Sequence, residues 1–292
     1  MLLLVRHYSA RIIAPCFRID FALWGKIFKD AWPLGLTVFF IFIYHRLDQI
    51  LLFRFKGPQE LGLYSAAVRL TESLNIVPAA LMTTVLPLLA QYHSSSYDTF
   101  KRIYALSFKY LLMFIIPLAF AVSLFSKQIL GLFYGREFLA SSPALGILIW
   151  AEVFVFLGIV NNSILTAANK QKIDPVFTGA SALVNAGLNF LLIPKYGFVG
   201  AAAASLAAYS TGPIMGYFIR STQEYSRQML LYSLKPALAS LVMAGFFYFT
   251  RPSFLVSAFA LPAVYLTAIY FIKGLNRDDL AIFRSLILKR DF

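Results

Sequence analysis

A single cysteine, Cys16, stands in the whole chain, so no internal disulfide can staple it, and a lone thiol in a terminal tail says little about compartment. Histidine is nearly as scarce. His7, His45 and His93 are too dispersed to mark a metal site by spacing, and neither H-E-x-x-H, G-x-S-x-G nor a Walker A loop occurs. Metalloprotease, serine hydrolase and nucleotide-driven chemistry therefore have no carrier here, and the chain does not read as an enzyme; no metal or cofactor is expected. Charge is thin as well, at 13% of residues, with 13 acids against 26 bases. What remains is apolar: 60% of the 292 residues are hydrophobic, 29 are Phe and 16 Tyr, and the mean hydropathy is +0.73. A soluble domain of this size is far less greasy, whereas aromatics in this number suit lipid contact and interfacial belts, so the expected fold class is all-α, a polytopic helical membrane protein. The net charge of +13 raises nucleic acid as a partner, but the bases are scattered through short loops, which favours a membrane surface instead. The apolar run Met1–Val5 is too short for a signal peptide, leaving targeting to the first span.

Residues 1–31 read as a cytoplasmic tail whose second half, with Lys26 and Lys29 among Phe21, Trp24, Ile27 and Phe28, forms an interfacial amphipathic helix. About eight transmembrane helices follow, near 33–55, 61–91, 104–126, 143–167, 175–194, 198–219, 233–250 and 253–272, each enough to cross ~30 Å of hydrocarbon. The first six make one unit, 32–219; residues 220–292 add two more helices and a basic tail. The longest loop, 127–142, reads as an interfacial half-turn. Placing both termini inside puts seventeen Lys and Arg on the cytoplasmic side, against six (Arg54, Lys56, Lys127, Arg136, Lys195 and Arg251) outside, which makes the chain a multi-pass protein of the inner (plasma) membrane with cytoplasmic ends. Prolines at or inside most spans predict kinks, either hinges or static bends. In span six, Gly200, Ala204, Ala208, Gly212 and Gly216 form a stripe of small residues that lets another helix approach closely, here within the same bundle.

The stretch from Tyr44 to Glu72 holds the main functional candidates. Spans one and two should form an antiparallel hairpin about Lys56-Gly57-Pro58-Gln59. At ~1.5 Å of rise per residue, Asp48 and Arg69 lie ~10 Å below the outer helix ends and Arg46 and Glu72 ~14 Å below, so opposite charges share levels. Ionisable groups at that depth face a bundle interior or a wet cavity and carry function, or else glue two helices as ion pairs. Asp48/Arg69 and Arg46/Glu72 are the expected partners, although Arg46 and Asp48, two positions apart, point to nearly opposite sides of a helix. His45 and Gln49 are read as polar interior positions beside them. A second polar series comprises Lys109 in span three, Glu152 in span four, and Asn185 and Asn189, which share a face of span five. Glu152 falls ~14 Å into its span, where a carboxylate suits proton or ion exchange, a role open to Asp48 as well, or makes a plain interhelical hydrogen bond.

Trp32-Pro33-Leu34 followed by Ile43-Tyr44-His45-Arg46-Leu47-Asp48-Gln49-Ile50 resembles the start of the second half of polysaccharide and O-antigen flippases of the multidrug/oligosaccharidyl-lipid/polysaccharide superfamily. Gly62-Leu63-Tyr64-Ser65-Ala66-Ala67 with Arg69 and Glu72 is similar to the next helix of that family. Leu132-Phe133-Tyr134-Gly135 with Leu148-Ile149-Trp150-Ala151 is similar to its middle, and Ile193-Pro194-Lys195-Tyr196-Gly197-Phe198-Val199-Gly200 to the run before its small-residue helix. The four stretches stand in register from residue 26 onward. The resemblance implies translocation of lipid-linked oligosaccharide for O-antigen or other cell-surface polysaccharide, by alternating access between two six-helix lobes. Its substrate would be an undecaprenyl-pyrophosphate-linked oligosaccharide in the lipid bilayer, with Arg46 and Asp48, and by weaker match Arg69 and Glu72, as cavity charges. Only the second lobe plus two helices is recognisable, so a missing N-terminal lobe or a second copy is the expected partner. The alternatives are a non-transporting remnant or scaffold, or a membrane-embedded polymerase or acyltransferase.

Overall fold

The computed structural model describes residues 20–220 and 222–274; Cys16, His7 and the tail basic residues before Asp20 or after Gly274 lie outside them. Among the described residues the chain is helical throughout, with nine α-helices and no strand. Helix α1 (Phe21–Lys56) is capped by Asp20, whose carboxylate accepts from the amides of Ala22 and Leu23. It runs unbroken through Pro33, so the segment read as an interfacial helix is the exposed first part of the same rod. The hairpin turn contracts to one residue, Gly57, whose φ of 86° suits glycine, and Pro58 opens α2 (Pro58–Glu72) where no amide partner is needed. Span two is not one helix. A 3-10 turn over Ser73–Asn75 separates α2 from α3 (Ile76–Ser95), because Pro78 has no N–H for the Leu74 carbonyl and its ring crowds that oxygen.

Helix α4 (Tyr97–Leu124) leads to a short α5 (Ser126–Phe133) and a 3-10 turn at Arg136–Ser141, more structure than the expected half-turn; α6 (Ser142–Ala167) follows. Helix α7 (Asp174–Phe218) is reversed at Gly197, where φ 56° and ψ −136° are outside the helical range. Its two arms lie antiparallel, with Gly200 against the Leu192 carbonyl and Gly212 against Phe177 and Ser181. The turn is held from α2, where the Glu60 carboxylate accepts the Phe198 amide at 3.0 Å. Last come α8 (Gln223–Thr250) and α9 (Phe254–Phe271). Six helical stretches are long and apolar enough to cross a membrane; one is the reversed α7, and Val256–Phe271 is a shorter apolar helix. Counting both arms of α7 and the short helix accounts for the eight expected spans.

Packing follows this order. Helix α7 lies along α1 and α6, burying Leu52, Tyr64, Leu148, Ile193 and Ala201 in one apolar cluster, while α3, α4 and α6 bury Leu89, Tyr104, Phe108 and Phe156 in another. A third cluster joins α8 and α9 to the end of α4 through Phe125, Met243, Leu261 and Tyr265, and the Tyr265 hydroxyl donates to the Met113 carbonyl at 2.9 Å. The stripe of small residues is spent inside the bundle, as expected, against the other arm of α7 and against α8.

Candidate functional site

Two openings share one wall. The smaller is a void of about 10 Å³ between α1, α2, α6 and the second arm of α7, near the lower limit for one water. Asp48 of α1, 3% exposed, is its anchor. The Tyr64 hydroxyl donates to Asp48 Oδ2 at 2.5 Å and lies 3.3 Å from Ser205 Oγ, which ties α1, α2 and α7 at one point. One turn away, His45 Nδ1 is 3.5 Å from Glu72 Oε1 and 3.4 Å from the Tyr209 hydroxyl, with the Tyr44 ring stacked on it at 4.9 Å. Glu152 of α6, 4% exposed, closes the void beside Thr71 and Asn75, and its Oε2 has no hydrogen-bond partner among the described residues. Three carboxylates thus surround a void whose described lining holds no Lys or Arg. Asp48 and Glu152 are nearly fully buried, whereas Glu72 is part-exposed and faces His45. No cluster of three or more metal-ligating side chains forms among the described residues, so burial here calls for hydrogen bonds, the imidazole or a proton to offset the carboxylates.

The larger opening, about 480 Å³, lies toward the N-terminal half of α1, and His45 and Tyr209 divide it from the void. Its walls come from α1, α6, both arms of α7 and the first turns of α8. Most are apolar or aromatic, including Phe154, Phe177 and Tyr225, but one end carries Asp174, 6% exposed, which accepts from Asn162 Nδ2 at 2.8 Å and has Thr37 beside it.

The expected ion pairs are not formed. Glu72 faces His45 rather than Arg46, and Asp48 is held by Tyr64 rather than Arg69. The reason is angular: the buried face of α2 runs through Tyr64, Ala67, Val68 and Thr71, so Arg69 is turned outward, and Arg46, two positions from Asp48, is likewise exposed, its Nη1 donating to Gln49 Oε1 at 3.5 Å. Lys109 is buried in α4, away from both openings. Asn185 and Asn189 are fully buried and bonded to each other, Asn189 Nδ2 donating to Asn185 Oδ1 at 2.9 Å, and line neither opening. Of the residues singled out from the sequence, His45, Asp48, Glu72 and Glu152 come together at the small void, and the structure adds Tyr64, Ser205, Tyr209, Asp174 and Asn162, which sequence reasoning did not place at a site. A signal existed for Tyr64, which is nearly level with Asp48 when depth is counted from Gly57.

A family model described as MatE matches residues 33–191. Over 175 residues, 60% of this chain and 37% of the relative, the chain is 25% identical to the probable low-salt glycan biosynthesis flippase Agl15 of Haloferax volcanii. It is 26% identical over 156 residues to a putative O-antigen transporter of Shigella flexneri, covering 53% of this chain and 37% of that one. With the lipid II flippase MurJ of Bacillus subtilis the identity is 27% over 169 residues, 55% of this chain and 31% of the relative. The chain therefore spans about a third of the length of these curated relatives. Among solved structures, a lipid II flippase MurJ in an inward closed conformation shares the fold with a TM-score of 0.67 at 19% identity, over 98% of this chain and 60% of that one. With more than half of its residues inside the matched region, this multi-pass helical membrane protein belongs to the MatE family.

Proposed function

We propose that the chain moves lipid-linked oligosaccharide across the inner (plasma) membrane for O-antigen or other cell-surface polysaccharide synthesis, with both termini cytoplasmic and with a complementary lobe or second copy completing the path. The observation that carries this reading is the outward placement of Arg46 and Arg69 on adjoining helices. A charge facing acyl chains at mid-helix is unfavourable by ~3 kcal/mol on insertion scales, so a surface carrying two of them is made to face something polar. The planar fork of arginine suits a diphosphate, such as that of an undecaprenyl-pyrophosphate-linked oligosaccharide. Relatives named as flippases and an O-antigen transporter support the same substrate class. Asp48 and Glu152, on opposite sides of the small void, are assigned to proton or ion exchange coupled to the movement.

In proteoliposomes containing the chain and whatever partner copurifies with it, Arg46→Ala or Arg69→Ala is expected to abolish translocation, and Lys at either position to restore part of it. Asp48→Asn and Glu152→Gln should leave translocation insensitive to an imposed proton or sodium gradient. Wild-type rates from both Ala variants at equal protein density would reject the arginine role. Completion by a partner has its own check. Single cysteines at Gln49 or Phe53, in a Cys16→Ser background, should crosslink in native membranes to a second copy or another chain; a monomer that flips unaided refutes it.

A further inference from the structure

We infer that the larger cavity is a subsite for an uncharged, hydroxyl-rich sugar of the transported lipid, and that it turns acidic sugars away. The inference rests on the transport reading above. At about 480 Å³ the cavity has the size of a small-molecule site. Its polar end is a fixed carboxylate and amide: Asp174 accepts from Asn162 Nδ2, which leaves carboxylate lone pairs and the Asn162 carbonyl to take the two hydroxyls of a vicinal diol. A second polar group in the lining is Asn75, whose Oδ1 is buried and has no partner among the described residues. The rings of Tyr44, Phe177, Tyr209 and Tyr225 also line the cavity, faces on which the C–H side of a pyranose can lie.

What the wall omits decides the class. Among the described residues no Lys or Arg lines the cavity, so nothing there neutralises a diphosphate or a uronate. The carboxylate in the wall is Asp174, with Glu72 and Glu152 just beyond His45, while the bases nearby are His45 in the wall and Lys170, over the Tyr225 ring at 5.8 Å. An anion entering would meet the Asp174 carboxylate with no Lys or Arg in the wall to offset it, which is costly in a low-dielectric interior. The arginines sit elsewhere, since Arg46 follows His45 in sequence but is turned to the outer surface of α1. Phosphate recognition and sugar recognition are thereby assigned to separate surfaces, with His45 at the border.

The test uses the full chain in nanodiscs and three probes: undecaprenyl diphosphate, undecaprenyl-diphospho-N-acetylglucosamine and undecaprenyl-diphospho-glucuronic acid. The N-acetylglucosamine form should bind ~10-fold tighter than the bare diphosphate, and the glucuronic acid form no tighter than the bare one. Gly158→Phe fills the cavity from α6, where an added Cβ meets nothing within 4 Å, and should reduce the sugar's advantage to none. Asp174→Asn keeps the shape but removes the charge, and should let the glucuronic acid form gain over the bare diphosphate. If the bare diphosphate binds and N-acetylglucosamine adds nothing, or if its advantage survives Gly158→Phe in a protein that melts normally, the subsite is wrong while the transport reading stands. An equal gain for glucuronic acid in the wild-type chain overturns the charge selection. Failure of all three probes to bind removes the transport reading and the subsite together.

Discussion

Tyr64→Phe is expected to lower the stability of the bundle by roughly 3 kcal/mol, a large effect for the loss of one oxygen atom. The Tyr64 hydroxyl is the side-chain donor to a carboxylate that is 3% exposed, and it also meets Ser205 on α7. Without it, Asp48 retains the Gln49 amide but loses the contact that joins three helices. The diagnostic measurement is a double-mutant cycle. Asp48→Asn in the Tyr64→Phe background should recover a substantial part of the loss in melting temperature, because a neutral amide no longer demands the donor. If Tyr64→Phe melts like the wild type, or if the two losses simply add, the contact is incidental.

Gly200→Val should be the second severe change, at ~4 kcal/mol or more, enough to remove the protein from the folded membrane fraction. A Cβ at Gly200 would lie 2.5 Å from the Leu192 carbonyl oxygen, and backbone cannot swing aside as a flexible side chain does. The arms of α7 would have to separate just beyond the Gly197 turn, pulling Phe198 from Glu60. Gly212→Ala provides the contrast within the same stripe. There an added Cβ meets Phe177 and Ser181 at 3.9 Å, ordinary contact, and alanine favours a helix by ~1 kcal/mol, so no loss is expected. Equal yields and melting temperatures for Gly200→Ala and Gly212→Ala would show that the stripe acts only through general smallness.

Such differences mark how far sequence carries the account. Spans were legible because a run long enough to cross hydrocarbon is read residue by residue and needs no partner. Depth was legible too, since it is counted along one axis, from Gly57 for Asp48 and Glu72 and from the start of its own span for Glu152, and all three line the void. Direction around the helix was not. Pairing by level alone joined Arg46 to Glu72 and Asp48 to Arg69, while the facing of α2 gives Asp48 a tyrosine and leaves both arginines outside. Tyr64 and Tyr209 pass for lipid-belt aromatics until a buried carboxylate or imidazole is seen beside their hydroxyls. Asp174 and Asn162 were hidden differently. Asp174 falls between two spans, where a polar residue reads as loop, and Asn162 lies inside span four with no charge to mark it, so only the cavity between α1, α6 and α7 shows that they face inward.

The docking of α8 on α4 sets an order of events during synthesis. Glu224 at the start of α8 is paired with Lys101 and accepts from Tyr97 at the start of α4, Tyr225 lies edge-on to Tyr104 at 5.2 Å, and Tyr265 of α9 reaches Met113. These partners lie on the order of 100 residues or more apart along the chain. At 5–20 residues per second, α4 therefore waits roughly 6–30 s in the bilayer before the ribosome delivers the helices that cover this face. During that interval the face of α4 that Glu224, Tyr225 and Tyr265 will cover has no partner from those helices, so assembly of this bundle closes from its last helices back onto its middle.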